Sequence, residues 1–302
     1  MRPAMSTGNR PIGIFDLTNQ CPLRCKHCYY YTNVSEIPVE LGEADFLDRL
    51  EQRRDEYGIR SAFWVGGEPL LKPHLLFRAM RLFSRNAVAT SGAVPIPAEL
   101  DAGLLVSIEG RKQTHDSLRG KGAFDIAMEN IRCLPAKTFA VATTLTTISV
   151  ECIDKLPDLV RSTRAMGILI GFHVGLPDDP LRMGDRRRDA AVDQLLELHE
   201  SHPGVLLHSK EAIELFRGRH GRDVSRHCIY RDRAVAFDVR LEVKKPCTFA
   251  KNAACNVCGC PVVIAHAAWR KDDAASGDLL HALFPKRLNV ATAANVHLPL
   301  SC

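Results

Sequence analysis

Between residues 12 and 177, short β-like runs alternate with helix-like ones, and this alternation limits the fold more than any other feature. Residues 12–17, 61–65, 87–90, 104–108, 138–146 and 168–174 read as strands, rich in β-branched and apolar side chains and mostly stopped by glycine or proline. Residues 43–57, 73–84, 124–133 and 152–166 carry helical spacing; Phe46, Leu47 and Leu50 make an apolar stripe among charges, and Pro73 suits a first helical turn. Strands separated by helices pair in parallel, with the helices as crossovers. Six such units do not complete an eight-unit barrel, so the expected fold is α/β, a partial (β/α)6 barrel. Active sites of parallel sheets lie at the C-terminal ends of the strands. The distinctive residues fall there: residues 21–28 after the first strand, 66–69 after the second, and Ser107 at the end of the fourth.

Beyond residue 177 the pattern changes. Residues 189–202 and 210–217 look helical, and from residue 226 the chain is rich in cysteine, with a hairpin expected over 234–243. A boundary near residue 220 divides a core domain, 1–220, from a small cysteine-rich C-terminal extension, 221–302. No repeat or low-complexity tract is visible. Residues 1–11 hold Arg2 and Arg10 but no apolar stretch, so they do not read as a signal peptide. Apolar runs such as 168–176 fall short of the about 20 residues that span a bilayer. A cytoplasmic protein with no membrane span is expected. A formal charge of +5 says little about partners, and no nucleic acid is expected: Arg186, Arg187 and Arg188 are flanked by Asp185 and Asp189 and read as a solvated loop or helix start.

Eleven cysteines are many for a chain whose compartment keeps thiols reduced, and clustering there points to metal or redox chemistry. Cys133 and Cys152 sit among apolar neighbours and read as small core residues; Cys302 lies in a tail without a reading. The other eight form two groups.

The first group is Cys21-Pro22-Leu23-Arg24-Cys25-Lys26-His27-Cys28. Three thiolates on one short loop can occupy three corners of a [4Fe–4S] cube, which normally has four cysteine ligands, leaving one iron open to a substrate. Pro22 shapes the loop, and His27 suits packing beside a ligand better than ligation. A zinc site or a redox dithiol at Cys25 and Cys28 stays open from spacing alone, although zinc sites usually close to four ligands.

This loop, followed by Tyr29-Tyr30-Tyr31, resembles that of radical S-adenosylmethionine (SAM) enzymes. Further matches follow in order: Val65-Gly66-Gly67-Glu68-Pro69, Thr90-Ser91-Gly92, Val106-Ser107-Ile108-Glu109-Gly110 and His115-Asp116-Ser117-Leu118-Arg119-Gly120. The resemblance covers roughly residues 12–177. It implies a [4Fe–4S] cluster on Cys21, Cys25 and Cys28, with SAM chelated at the open iron. Gly66, Gly67, Glu68 and Pro69 are implied to receive its methionine ammonium, with the glycines letting backbone approach and Glu68 adding a charge-assisted contact. Ser107 is implied at the ribose and Arg119 at the SAM carboxylate. Ordinary roles stay open for each: an exposed loop acid, a strand-end hydroxyl, a surface salt bridge. An electron from the cluster would cleave SAM to methionine and a 5′-deoxyadenosyl radical, with the electron supplied by a donor such as flavodoxin or ferredoxin. Two departures stand out. Glu109 replaces the family's usual aspartate, and the fifth strand lacks the glycines often seen near adenine.

The second group is Cys228, Cys247, Cys255, Cys258 and Cys260. Five thiols in so short a stretch suffice for a [4Fe–4S] or zinc site, with Gly259 allowing a tight turn. The group resembles the SPASM or twitch extensions of radical SAM enzymes, shortened, which implies one auxiliary [4Fe–4S] cluster. His227 and His266 are possible substitute ligands or ordinary surface residues.

The function expected is modification of a small-molecule or lipid-like metabolite in natural-product biosynthesis, since the first loop and the 106–131 stretch resemble enzymes of adenosylhopane formation and antibiotic biosynthesis. A SPASM-type peptide maturase is the first alternative; such enzymes often carry a leader-binding module, and only about eleven residues precede the first strand. A non-enzymatic zinc- or cluster-binding interaction protein is the second. Tyr29, Tyr30, Tyr31 and His173 are candidates to line the cavity, or to pack in the core.

Overall fold

A computed structural model describes residues 10–31, 37–136, 138–176, 178–250 and 253–285; most of the first eleven residues and Cys302 therefore lie outside the described residues. Six parallel strands form in chain order: β1 (Ile12–Thr18), β2 (Ser61–Gly66), β3 (Arg85–Thr90), β4 (Gly103–Ser107), β5 (Phe139–Leu145) and β6 (Ile168–Phe172). They lie side by side as an open sheet, the partial barrel that the alternation predicts.

The helices between them are α1 (Glu43–Tyr57), α2 (Pro73–Met80), α3 (Lys112–Arg119), α4 (Ala123–Arg132) and α5 (Leu156–Thr163), with α6 (Asp185–Ser201) after β6. α1 shows why such segments become helical: Glu43 and Asp45 favour its positive end, Arg54 its negative end, and Gly58 stops it at φ 66°. Phe46 and Leu50 are the residues it buries. One helix was not expected from the sequence: α3 forms from a mostly polar segment whose buried residues are His115 and Leu118, whereas residues 91–102 join β3 to β4 without a helix. Thus the six strands are not separated by five helical crossovers.

Beyond α6 follow α7 (Lys210–Glu214) and, in the cysteine-rich segment, α8 (Gly221–Arg226), β7 (Ala234–Phe237), β8 (Val243–Lys244), α9 (Pro261–Trp269) and α10 (Ala274–Ala282). The expected hairpin is present, with Phe237 opposite Val243. Its first strand also pairs in parallel with β1, Ile12 opposite Ala234 and Phe15 opposite Phe237, so the sheet runs β6-β5-β4-β3-β2-β1-β7-β8. Arg10 reinforces this junction by donating to the carbonyls of Tyr230, Ala234 and Arg231.

The core gathers on β1 and β2. The Phe15 ring stacks between Trp64 and Phe237, both at 5.2 Å, with Phe83 at 5.5 Å. Trp64 is fully buried, and its indole N–H donates to Asn86 Oδ1 at 2.9 Å, so its one polar atom is satisfied. Truncating Phe15 to alanine would cost about 3–5 kcal/mol. This packing fixes the ends of β1 and β2, from which the two key loops emerge. Cys152 is buried as expected, but Cys133 is exposed at the C-cap of α4, where the helix end turns its side chain away from the apolar face.

Candidate active site

Because β1 to β6 all run the same way, their C-terminal ends meet on one side. There Cys21, Cys25 and Cys28 line one cavity of about 240 Å³ together with Gly66, Gly67, Ser107 and Arg119. The loop that carries the cysteines is held from within and from α3: Cys28 N–H donates to the Cys25 carbonyl, and Lys26 N–H to the Leu118 carbonyl. Burial pushes the Cys21 thiol up to about 11 and raises Cys25 against the pull of Arg119. A cationic centre bound among such thiols would displace their protons. Three partly exposed soft donors around one cavity fit a [4Fe–4S] cluster with a free corner.

The two glycines also meet a packing demand that the sequence did not reveal. A Cβ on Gly67 would lie 2.1 Å from the Gln20 carbonyl oxygen, and one on Gly66, whose φ is +115°, 2.6 Å from that of Thr18. Gly67 N–H donates to Thr18 O at 2.7 Å and Glu68 N–H to Gln20 O at 2.8 Å. The turn after β2 is therefore packed backbone-to-backbone on the entry to the cysteine loop, and both glycines still face the cavity.

Glu68 is neither an exposed acid nor a lining residue. It is fully buried; one carboxylate oxygen accepts from Ser91 N–H (2.8 Å) and Ser91 O–H (2.6 Å), and the other from Leu70 N–H (3.2 Å). It ties the turn after β2 to the turn after β3. Pro69 is buried at the first position of the short helical turn Pro69–Leu71.

Arg119 is not a surface salt bridge. Its guanidinium donates to Glu109 Oε1 at 2.6 and 3.2 Å and reaches Cys25 Sγ at 3.7 Å. The same oxygen meets His27 Nε2 at 3.0 Å, while Glu109 Oε2 accepts from Thr144 N–H at 2.8 Å. Burial alone would raise the Glu109 carboxyl, but Arg119 and His27 hold it down to about 2. Burial lowers His27 even with Glu109 pulling it up. The buried anion thus joins α3 and β5 to His27 of the cysteine loop, and through Arg119 it reaches Cys25. Sequence reasoning saw Glu109 only as a departure.

Tyr29, Tyr31 and His173 line the cavity, whereas Tyr30 is buried beneath. His173 Nε2 pairs with Asp179 Oδ2 at 2.7 Å, so the ring is oriented by a carboxylate. Asp179 was not singled out in the sequence, because it lies six residues away in a loop with no motif of its own.

All five C-terminal cysteines line a second cavity of about 920 Å³. Cys260, Phe249 and Val174 face both cavities, so one wall separates the two cysteine groups. Burial pushes Cys228 up to about 11 and Cys247 up to about 12, and raises Cys258 and Cys260. As at the first site, partly exposed thiols around an open volume fit a metal centre, which would displace their protons. His266 is not a surface residue: it is buried on α9, with Nδ1 2.8 Å from the His227 carbonyl. Arg188 is not solvated either; it is 4% exposed and reaches the carbonyls of Val257 and Cys258. Among the described residues, no helix is long and apolar enough to cross a membrane.

The Radical SAM superfamily model matches residues 15–163. The pre-heme d1 synthase of Dinoroseobacter shibae is 30% identical over 171 residues, 53% of this chain and 42% of that one. The sporulation killing factor maturation protein SkfB of Bacillus subtilis is 30% identical over 170 residues, 53% of this chain and 40% of that one. This chain therefore spans less than half the length of either. The fold is similar to that of Streptococcus suis SuiB, whose structure bound to S-adenosylmethionine superposes with a TM-score of 0.56 at 14% identity, covering 76% of this chain and 59% of that one. SuiB is also seen bound to the precursor peptide SuiA, with a TM-score of 0.57 at 12% identity over 76% and 58% of the two chains. The family match spans the strands whose ends gather the three-cysteine loop, the glycine pair and Arg119, and residues 15–163 are thereby a radical SAM domain.

Proposed function

We propose that the chain cleaves SAM reductively and uses the resulting radical on a substrate admitted to the first cavity. One observation carries the reading: Cys21, Cys25 and Cys28 line the same cavity as Gly66, Gly67, Ser107 and Arg119. The three cysteines hold a [4Fe–4S] cluster. When bound, that cluster supplies the electron that splits SAM into methionine and a 5′-deoxyadenosyl radical. Gly66 and Gly67 present backbone to the methionine ammonium, Arg119 offers a cation to the carboxylate, and Ser107 offers a hydroxyl to the ribose. Glu68 acts one step back, locking the glycine turn onto Ser91. His173, oriented by Asp179, is the cavity group suited to accept or return a proton.

The second cysteine group holds an auxiliary [4Fe–4S] cluster. Its five thiols border a volume of about 920 Å³, and they supply more than the four thiolates that a cubane takes. The substrate class is a small metabolite, in keeping with the similarity to a heme-pathway synthase. A peptide substrate is the second reading, favoured by the equal similarity to a maturation protein. The electron donor is a small one-electron carrier of the flavodoxin or ferredoxin kind.

Anaerobic reconstitution with iron and sulfide, followed by reduction in the presence of SAM, tests the proposal. About eight irons per chain and release of 5′-deoxyadenosine are expected, each cube holding four. Cys25→Ala should abolish the release, and Cys258→Ala should halve the iron. Zinc in place of iron at the first loop, or no 5′-deoxyadenosine, would overturn it.

A further inference from the structure

Arg188 is a buried cation whose close partners are all neutral. It is the fourth residue of α6, 4% exposed. Its Nε donates to the Phe216 carbonyl at 2.5 Å, Nη1 to Val257 O at 2.7 Å and Nη2 to Cys258 O at 2.8 Å. The guanidinium lies 4.9 Å over the Phe172 ring. Asp185 and Asp189, on the same helix, act on it only through space. Burial holds it down to about 10, with Cys258 the first of the groups that pull it back up. Hydrogen bonds to carbonyls satisfy the donors but do not neutralise the charge, and a buried charge without a counter-ion costs stability. A packed apolar side chain could fill the same space at less cost.

What the guanidinium holds is the turn through Cys258, Gly259 and Cys260. The turn is docked on the end of β6: Phe172 N–H donates to Gly259 O at 2.9 Å, and a Cβ on Gly259 would lie 2.1 Å from the Phe172 carbonyl oxygen. Gly259 and Cys260 face the first cavity, and Cys258 and Cys260 the second. A buried cation with no direct ion pair thus sits behind the wall between the two cysteine groups. A thiolate-ligated [4Fe–4S] centre is a net anion, and its potential follows charge, hydrogen bonding and burial.

We propose that Arg188 is a positioning residue that also sets the reduction potential of the auxiliary centre: its fork fixes the Cys258–Cys260 turn, and its charge stabilises the centre's reduced, more negative state. This rests on the reading that the second cysteine group binds an iron–sulfur cluster. No bond changes; one electron enters the centre from the external donor, and the fixed positive charge favours its stay.

The test uses the full chain with Cys21, Cys25 and Cys28 replaced by alanine, so that only the auxiliary centre contributes. It is reconstituted anaerobically and titrated with EPR detection at pH 7, with Arg188 intact or as Arg188→Lys, Arg188→Gln and Arg188→Met. The parent should hold about four irons. Arg188→Met and Arg188→Gln should keep the iron and fall roughly tenfold in reduced-to-oxidised ratio at the parent's midpoint, as expected for loss of one nearby charge. For a one-electron couple a tenfold change is about 59 mV. Arg188→Lys should stay near the parent. An unchanged midpoint in uncharged variants that keep their iron overturns the inference and leaves the cluster reading intact. A parent without iron overturns the cluster reading, and the inference with it. Loss of iron in all three variants, lysine included, reduces Arg188 to a hydrogen-bonding staple and overturns its assignment as a tuning charge.

Discussion

Glu109→Gln is the sharpest single probe of the buried network beside the cysteine loop. The substitution keeps shape and removes one charge from a group that accepts from Arg119, His27 and Thr144 N–H. Holding the carboxyl near 2 rather than its ordinary 4.5 corresponds to about 3 kcal/mol in favour of the ionised, folded form. Removing one member of a buried ion pair costs about 3–5 kcal/mol in general, because the partner is left uncompensated, so the two routes agree on about 3 kcal/mol. The sign of the pH dependence follows. Folding depresses this carboxyl, so its share of stability is complete above about pH 4.5 and is lost as pH falls toward 2. Urea unfolding of the cluster-free chain under reducing conditions, followed by far-UV circular dichroism, should show Glu109→Gln about 3 kcal/mol less stable from about pH 8 to about pH 5. The gap should narrow below that. Glu109→Asp keeps the charge but shortens the reach, and should lose about 1 kcal/mol. A Glu109→Gln chain within about 0.5 kcal/mol of wild type, or a gap that does not narrow in acid, would refute the reasoning.

Three further outcomes are expected. Gly67→Ala, whose Cβ would lie 2.1 Å from Gln20 O, should separate the glycine turn from the cysteine loop, lowering stability by at least about 2 kcal/mol and cutting cluster iron, measured by denaturation and iron content. Ser91→Ala removes the 2.6 Å bond to Glu68 and should cost about 2 kcal/mol in a thermal melt while leaving the iron in place. Burial holds His208 down to about 4, so its neutral form belongs to the folded state, and stability should fall as pH drops from about 6.5 toward 4; His208→Gln should flatten that part of the profile in pH-dependent urea unfolding.

The barrel strands were legible because each is a short apolar or β-branched run with its own stop signal, a property of a few adjacent residues. The three-cysteine loop and the glycine pair were legible because their chemistry is local too. α3 was missed because it is short and mostly polar, and one of its two buried residues, His115, is itself polar. The pairing of β7 with β1 joins residues more than two hundred positions apart and leaves no local trace. Arg188 looked solvated because Asp185 and Asp189 flank it in sequence, yet its guanidinium packs on the carbonyls of Phe216, Val257 and Cys258, partners distant in sequence that leave no local trace. Cys133 was assigned to the core from apolar neighbours, and the helix end points it outward. Glu68 was expected at the ligand, and its contact with Ser91 joins two turns far apart in sequence, which charge and spacing alone do not reveal.

The strand Ala234–Phe237 has a consequence for any shortened version of this chain. Were the polypeptide cut near residue 220, the backbone N–H and C=O groups of Ile12–Phe15 that face it would become a raw sheet edge, and Phe15 would lose the ring stacked on its open side. Natural sheets guard such edges, because an unpaired row of this kind recruits strands from other molecules. A trimmed catalytic half should therefore clump rather than behave as a free-standing enzyme.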